Sequence, residues 1–276
     1  MEILYPIIAL GSLGILFGIG LSLAAKKFCV SSDPRIDKIQ DNLPGANCGA
    51  CGMGGCSGLA EALTQGKCGV DKCTVANEDD KVKIAGILGV EFKKTARKTA
   101  LLHCAGGVKV KDRFLYKGIT DCIAANLVLG GQKSCVYGCL GFGTCERVCP
   151  FDAIKMSEEG LPVIDKDKCK ACNKCVEICP KKLFSLVPET HNVFVACSSH
   201  DAGKETKSVC PVGCIACRLC EKACKFDAIH VIDASTSLSI YPECNQRIDN
   251  LAVIDYNKCT SCGECVKVCP MKTIKL

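Results

Sequence analysis

The chain has 276 residues, of which 27 are Cys and none is Trp, and its formal net charge is +6. Cysteine at this density indicates either disulfide bonds in an oxidising compartment or metal sites in a reducing one, and the recurrent C-x2-C spacing favours metal. The positive charge does not indicate nucleic-acid binding, because cysteines that bind metal are thiolates. Five four-thiolate clusters would lower the net charge to roughly −4. We therefore expect small modules stabilised by iron–sulfur clusters, and no nucleic-acid partner.

An uncharged apolar segment of 23 residues occupies positions 3–25, and about 20 such residues cross the hydrocarbon core of a bilayer as a helix. Lys26 and Lys27 follow it, whereas only Glu2 precedes it, so the positive-inside rule places the following chain in the cytoplasm. A cleaved signal peptide is the alternative, but the positive n-region is missing and the apolar segment is longer than usual. The sequence predicts a transmembrane anchor over 1–27, with a single pass through the inner (cytoplasmic) membrane and the bulk of the chain on the cytoplasmic side.

A four-cysteine motif with the spacing C-x2-C-x4-C-x16-C follows, within residues 28–76. Its glycines let backbone N–H groups approach cluster sulfurs closely. A short helix over Ser57–Gln65 would place the third cysteine at its N-terminus, where the helix dipole favours a thiolate. The sequence predicts a [4Fe–4S] domain, and a zinc site or a redox dithiol is the alternative. The predicted ligands are Cys48, Cys51, Cys56 and Cys73.

Residues 77–133 form a basic connecting segment. Ten Lys and Arg side chains lie between positions 81 and 117, against two acidic ones. Such a segment is either an ordinary solvated surface or a docking surface for an acidic partner such as a soluble ferredoxin, because complementary charge raises encounter rates. Cys104 and Cys122 in this segment are accounted for as small buried apolar side chains.

Residues 134–187 hold two cysteine quartets, each ending in Cys-Pro. The second has the spacing C-x2-C-x2-C-x3-C-P of bacterial ferredoxins, in which three cysteines hold one [4Fe–4S] cluster and the fourth crosses to a neighbouring cluster. A zinc ribbon is the alternative, but zinc sites favour paired C-x2-C knuckles. Two short strands, 151–156 and 161–165, are predicted between the quartets. We expect the last cysteine of each quartet to bind the cluster held by the other quartet. The sequence then predicts one cluster on Cys135, Cys139, Cys145 and Cys179, and another on Cys149, Cys169, Cys172 and Cys175.

Residues 188–276 repeat this plan, because FDAI follows a quartet in both copies and LPVIDKDKC matches LAVIDYNKC. Aligning the copies pairs Cys135 with Cys210 and leaves Phe142 where the second copy has Cys217. The second copy can thus use either Cys210 or Cys217. The standard run of ferredoxins, C-x2-C-x2-C-x3-C, favours Cys217. The predicted sets are Cys214, Cys217, Cys220 and Cys269, and Cys224, Cys259, Cys262 and Cys265.

These sets and the four-cysteine domain give five [4Fe–4S] clusters with twenty cysteine ligands. The predicted fold class is α+β, with an N-terminal transmembrane helix, a small helical four-cysteine domain and two ferredoxin-like modules. A sixth site among Cys104, Cys122, Cys197, Cys210 and Cys244 is an alternative, although its spacing matches no motif. The seven surplus cysteines are Cys29, Cys68, Cys104, Cys122, Cys197, Cys210 and Cys244.

The order of these parts resembles the B subunits of the Rnf complexes (RnfB), the membrane-bound ferredoxin:NAD+ oxidoreductases. The resemblance rests on the apolar helix, the C-x2-C-x4-C-x16-C domain and the segment CVYGCLGFGTCERVCPFDAI. The doubled module is similar to the longer form found in anaerobic bacteria. The resemblance implies an electron-transfer role within an ion-translocating complex, in which the chain accepts electrons from reduced soluble ferredoxin. Its partners would be other membrane and peripheral subunits of the complex, through which the electrons reach flavin and finally NAD+.

Two other functions remain alternatives. One is a polyferredoxin subunit of another membrane oxidoreductase, such as a hydrogenase, and the other is a non-redox metal-binding or cluster-carrying protein. The anchor and the four-cysteine domain argue against the first, and the cross-ligated modules argue against the second. The sequence holds no G-x-G-x-x-G or phosphate-binding loop and its four His are scattered, so no catalytic residue is predicted.

Overall fold

The computed structural model describes residues 4–27, 33–92, 96–232 and 250–276, so that Cys29 and Cys244 lie outside the described residues. The helices are α1 (Leu4–Lys27), α2 (Pro34–Asn42), α3 (Gly55–Thr64), α4 (Glu78–Leu88), α5 (Cys122–Leu127), α6 (Thr144–Val148), α7 (Lys174–Ile178), α8 (Gly203–Val209), α9 (Leu219–Ala223) and α10 (Glu264–Val268). The strands are β1 (Lys98–Leu102), β2 (Ile154–Met156), β3 (Pro162–Ile164), β4 (Phe184–Pro188), β5 (Phe194–Val195), β6 (Ile229–Ile232), β7 (Leu251–Ile254) and β8 (Ile274–Lys275).

Helix α1 is formed by the apolar N-terminal segment and runs for 24 residues. Most of the side chains described in this helix are exposed, and Leu10, Leu16 and Leu21 are 71%, 66% and 71% accessible. Among the residues that the structure describes, no helix combines the length and the hydropathy needed to cross a membrane. The predicted helix is therefore confirmed, whereas the predicted single membrane crossing is not.

Helices α2, α3 and α4 build the four-cysteine domain. Asp33 caps α2 by accepting a hydrogen bond from a first-turn N–H at 2.9 Å, and Pro at the first helical position suits the cap. Acidic residues fill the first turn of α4, and Gly89 ends that helix with a φ of 69°. The three helices pack around Ile39, Leu59 and Ile84, which are almost fully buried. The predicted short helix is present as α3.

The first ferredoxin module contains the hairpin predicted between its two quartets. Strands β2 and β3 pair antiparallel with Ile154 opposite Ile164. The turn between them is closed by the N–H of Gly160, which donates to the carbonyl of Ser157 at 2.9 Å. Helices α6 and α7 pack against each other beside this hairpin. The hairpin prediction is confirmed.

Strand β1 lies in the basic connecting segment but packs into the first module. It pairs antiparallel with β4, with Leu102 opposite Phe184. Four of its five residues are buried, and Ala100 and Leu102 share a core with Ile154. The segment 77–133 is therefore more than a connection, because it supplies one strand of the module that follows it.

The second module repeats the pairing pattern of the first. Strand β5 pairs with β8 as β1 pairs with β4, and β6 pairs with β7 as β2 pairs with β3. Helices α9 and α10 pack together as α6 and α7 do. Its core includes Val193, Ile229 and Ile274, each at most 3% exposed. The internal repeat inferred from the sequence is confirmed in the strand pairing.

Candidate iron–sulfur cluster sites

The four-cysteine domain brings its predicted ligands to a single cavity with about 310 Å³ of free space. Cys56 lies in the first turn of α3, where its N–H donates to Oδ1 of Asn47 at 2.8 Å. Gly55 has a φ of 92°, which suits glycine and lets the chain turn into the helix. Burial raises the pKa of the Cys73 thiol, and two backbone N–H groups act in the opposite direction. The cysteines lining this cavity are Cys48, Cys51, Cys56 and Cys73.

One predicted set of the first ferredoxin module is also assembled. Its cavity has about 340 Å³ of free space and is closed by apolar side chains of β1, β2 and β4, including Ala100, Ile154 and Leu186. Burial raises the pKa of Cys175 to about 12, with further contributions from neighbouring thiols. The crossing predicted from the ferredoxin motif is present, because the last cysteine of the first quartet joins the first three of the second. The cysteines lining this cavity are Cys149, Cys169, Cys172 and Cys175.

Both predicted sets of the second module are assembled in the same way. Their cavities have about 340 Å³ and about 350 Å³ of free space. Cys217 lines one of these cavities with its predicted set, whereas Cys210 lines another cavity. One cavity is lined by Cys214, Cys217, Cys220 and Cys269, and the other by Cys224, Cys259, Cys262 and Cys265.

For the remaining predicted set, the structure also places Cys122, from outside the set, close to Cys139, Cys145 and Cys179. Burial raises the pKa of Cys145 to about 11, and the charge of the nearby Cys122 thiol is the next contribution. Burial is the main cause that raises the pKa of Cys139 and of Cys179. The charge of Cys104 and, to a smaller extent, that of Cys122 add to the shift at Cys139, and the charge of Cys122 adds to the shift at Cys179. The Cys122 thiol is therefore close to those of Cys139, Cys145 and Cys179, and Cys139 is also close to Cys104.

A hydrogen-bonded clamp explains how Cys122 reaches this site from outside the ferredoxin motif. Its N–H donates to the hydroxyl of Thr144 at 2.8 Å, and that hydroxyl donates to the carboxylate of Asp121 at 2.8 Å. Asp121 also caps α5 by accepting the N–H groups of Ile123 and Ala124 at 2.8 and 3.2 Å. The Thr144 hydrogen bond is the main cause that lowers the pKa of Asp121. The clamp ties α5 to α6, the helix that carries Cys145.

Sequence reasoning missed Cys122 because it lies 17 residues before Cys139, far outside any cluster spacing. Two signals could have pointed to it. Phe142 stands where the second copy has Cys217, so the first copy needs a ligand from elsewhere. The Asp-Cys pair at 121–122 also has the form of a helix N-cap, which would fix the cysteine backbone.

Cys135 and Cys139 both line a cavity between the two ferredoxin modules, with about 420 Å³ of free space. Burial raises the pKa of Cys135 to about 11, and the charges of the Cys104 and Cys210 thiols add to the shift. Cys197 lines the same cavity. Three of the cysteines that spacing left without a partner are thus close to Cys135.

The sulfur atoms receive backbone N–H groups, as cluster ligands do. Cys169 Sγ accepts the N–H of Ala100 at 3.4 Å, and Cys224 Sγ accepts that of Ala228 at 3.3 Å. Cys179 Sγ accepts the N–H of Leu183 at 3.5 Å. Within the described ranges, no group of three or more His, Cys, Asp or Glu side chains has the arrangement of a single-ion site. The chemistry of the donor sets, with four thiols in an apolar cavity, fits a [4Fe–4S] cluster.

Two of these sites adjoin each other across a domain boundary. Burial raises the pKa of Cys172, and among the smaller contributions is the charge of Cys48, from the four-cysteine domain. Cys145 in turn contributes to the raised pKa of Cys175. The four-cysteine site is therefore next to the Cys149–Cys175 site, which is next to the Cys122–Cys179 site.

Comparison with protein families agrees with this arrangement. A family model described as "Putative Fe-S cluster" matches residues 43–75, and the "4Fe-4S dicluster domain" matches residues 134–183 and 213–273. The chain is 45% identical to the B subunit of the Na(+)-translocating ferredoxin:NAD(+) oxidoreductase complex of Acetobacterium woodii, over 99% of this chain and 77% of that protein. It is 38% identical to the B subunit of the ion-translocating oxidoreductase complex of Methanosarcina acetivorans, over 98% of this chain and 97% of that protein. The chain belongs to the family of these B subunits.

A third member of this family extends the comparison. The B subunit of the proton-translocating ferredoxin:NAD(+) oxidoreductase complex of Clostridium ljungdahlii is 37% identical over 95% of this chain and 88% of that protein. The resemblance inferred from the motifs is confirmed. The matched domain segments nevertheless omit Cys104, Cys122, Cys197 and Cys210, which are the cysteines that the structure brings close to the predicted ligands.

Proposed function

We propose that this chain is the electron-transfer subunit of an ion-translocating ferredoxin:NAD+ oxidoreductase complex. It accepts electrons from reduced ferredoxin and relays them through [4Fe–4S] clusters towards subunits that bind flavin and NAD+. The observation that carries the proposal is the series of adjoining four-cysteine sites in a chain that is homologous to these B subunits over almost its whole length.

The five clusters of this proposal keep four of the sets expected from spacing and change one. The changed set is Cys122, Cys139, Cys145 and Cys179, supported by the clamp that joins Asp121 to Thr144. The four retained sets are Cys48, Cys51, Cys56 and Cys73; Cys149, Cys169, Cys172 and Cys175; Cys214, Cys217, Cys220 and Cys269; and Cys224, Cys259, Cys262 and Cys265.

A bound [4Fe–4S] cluster supplies one-electron chemistry, and the protein residues set where and at what potential it occurs. Burial raises the pKa of Cys139 to about 12 and of Cys220 to about 12, so iron binding must displace the protons of these thiols. Apolar side chains line the cavities, and backbone N–H groups stabilise negative charge on the sulfurs. The chain needs no acid, base or nucleophile for this role.

The partners follow from the family and from two surfaces of the chain. Attachment to the membrane part of the complex would run through α1, whose apolar side chains are exposed. The basic segment gives less support to a ferredoxin docking surface than its composition suggests. Lys83, Lys109 and Lys133 each lie within 3.5 Å of a carboxylate of the chain itself. Neither the polyferredoxin alternative nor the cluster-carrier alternative gains support from the family matches.

Reduction by ferredoxin tests the proposal directly. The full chain, purified anaerobically with its clusters, should lose visible absorbance when mixed with reduced ferredoxin and should regain it when an oxidant is added. Oxidised ferredoxin is the control and should cause no change. A chain that holds its clusters but is not reduced by ferredoxin, or that gives no low-potential paramagnetic signals with dithionite, would refute the electron-transfer role.

A further inference from the structure

The two ferredoxin modules each place a cysteine two residues after their outer strand. Cys104 follows β1 in this way, and Cys197 follows β5. Each sulfur accepts a backbone N–H from the first cysteine of the ferredoxin run in its own module: Cys139 N–H donates to Cys104 at 3.4 Å, and Cys214 N–H donates to Cys197 at 3.3 Å. Cys104 and Cys197 are therefore equivalent positions of the internal repeat.

Cys135 and Cys210 form a second equivalent pair. Each lies four residues before the first cysteine of its run, with a glycine just before that cysteine. Gly138 N–H donates to the carbonyl of Cys135 at 3.1 Å, and Gly213 N–H donates to that of Cys210 at 3.4 Å. The same turn thus orients both cysteines, one from each module.

All four cysteines line one cavity between the modules, which Cys139, assigned above to the cluster of the first module, also lines. A Cβ placed on Gly106 would lie 3.6 Å from Cys210 Sγ and 3.8 Å from Cys104 Sγ, so sulfurs of different modules approach one point. Cys135, Cys197 and Cys210 are each at most 9% exposed. The donor set, four cysteines of which three are buried, is that of a cluster site.

His103 holds the two modules together at this cavity. Its ring nitrogens bond the carbonyl of Val195 on β5 at 2.9 Å and the hydroxyl of Ser185 on β4 at 2.6 Å. Its carbonyl accepts the hydroxyl of Ser198 at 3.1 Å. These contacts fix the residue before Cys104 against the strand before Cys197, so the four sulfurs are placed by contacts that do not themselves require a metal.

We propose that Cys104, Cys135, Cys197 and Cys210 hold a sixth [4Fe–4S] cluster, shared by the two ferredoxin modules. The proposal deepens the electron-transfer role above and rests on it for the function of the cluster, but the site itself stands on the geometry. Each module contributes two ligands, so neither could bind the cluster alone.

The position of this cluster gives it the role of a relay between modules. Cys104 is hydrogen-bonded to the backbone of Cys139, a ligand of the first module, and Cys197 to that of Cys214, a ligand of the second. A cluster held by these residues would pass one electron, originating from reduced ferredoxin, from the cluster of one module to that of the other. No covalent bond forms or breaks, and no further oxidant or reductant is required.

Iron content and native mass spectrometry of the full chain, purified anaerobically, test the site without any electron donor. Six clusters correspond to about 24 iron and about 24 sulfide per chain, and five to about 20. Wild-type protein with five clusters would overturn the proposal. Because this count is independent of reduction by ferredoxin, failure of the sixth site and failure of the electron-transfer role are distinguishable.

The iron content of cysteine variants shows which residues bind the sixth cluster. Cys104→Ala and Cys197→Ala should each remove about four iron, and the double variant should also remove about four, because both residues hold one cluster. Cys68→Ala is the matched control, since Cys68 lines none of the five cavities, and it should keep the wild-type count. Wild-type iron in either single variant, or loss of about eight in the double variant, would contradict a shared cluster.

Discussion

Replacing Asp121 with Ala should make one cluster labile, because this side chain fixes the backbone of Cys122. The change removes the N-cap of α5, which is worth about 1 kcal/mol. It also removes the acceptor of the Thr144 hydroxyl, for about another 1 kcal/mol. The ion pair with Arg147 is half exposed and adds little. A loss of about 2 kcal/mol corresponds to roughly a 30-fold increase in the population of the detached segment.

The assay is anaerobic release of iron to a chelator, followed over time. Local opening of α5 exposes only the Cys122–Cys179 site, so about four iron per chain should be released roughly 30-fold faster while the others keep the wild-type rate. Asp33→Ala is a matched control, because Asp33 also caps a helix and pairs with an Arg, yet it lies in the four-cysteine domain.

A double-variant comparison identifies which cluster is released. In protein that already carries Cys122→Ala, the Asp121 change should have no further effect on iron release, because the affected cluster is gone. Equal acceleration with and without Cys122 would refute the idea that Asp121 acts through this ligand. Unchanged release in the single variant would refute the clamp itself.

Three further predictions follow from individual contacts. Cys122→Ala and Cys135→Ala should each lose about four iron and the double variant about eight, since the two residues hold different clusters; loss of four in the double variant would restore the set expected from spacing. Gly55→Ala should destabilise the four-cysteine domain by about 1–3 kcal/mol in a denaturation curve, because φ is positive and the new Cβ would lie 2.8 Å from Oδ1 of Asn47, whereas Gly58→Ala meets no close atom and should not destabilise. Arg97→Ala should destabilise the first module by about 1–2 kcal/mol, because its guanidinium bonds three carbonyls of the loop ending at residue 169; an unchanged denaturation midpoint would exclude this contribution.

The ligand sets that follow the standard run could be predicted from the sequence because covalent spacing largely determines them. Cysteines at i, i+3 and i+6 must share a short loop, and the fourth crosses because the hairpin brings both quartets together. The second module agrees with this reasoning at all eight positions, including Cys217. The hairpin over β2 and β3 was predictable for the same reason, since its apolar alternation and turn are local.

Cys122 and Cys104 could not be assigned in this way because their positions depend on contacts between distant segments. Cys122 is placed by hydrogen bonds of its own N–H and of Asp121 to a threonine more than 20 residues later. Cys104 is placed by β1, which reaches the first module only through pairing with β4, more than 80 residues along the chain. Neither contact can be recognised from the spacing of residues in the sequence. The basic charge of the segment indicated a surface and not a place that supplies cluster ligands.

The exchange of Cys122 for Cys135 and the shared site between the modules are two consequences of the same repeat. If Cys135 completed the first-module cluster, Cys210 would have no equivalent role, although the two occupy matching turns. If Cys122 supplies the ligand that Phe142 cannot, as proposed above, Cys135 becomes available to act as Cys210 does. The symmetry between the modules is then complete, with each giving two cysteines to the cavity between them. In the part of the chain that the structure describes, six sets of four account for every cysteine except Cys68.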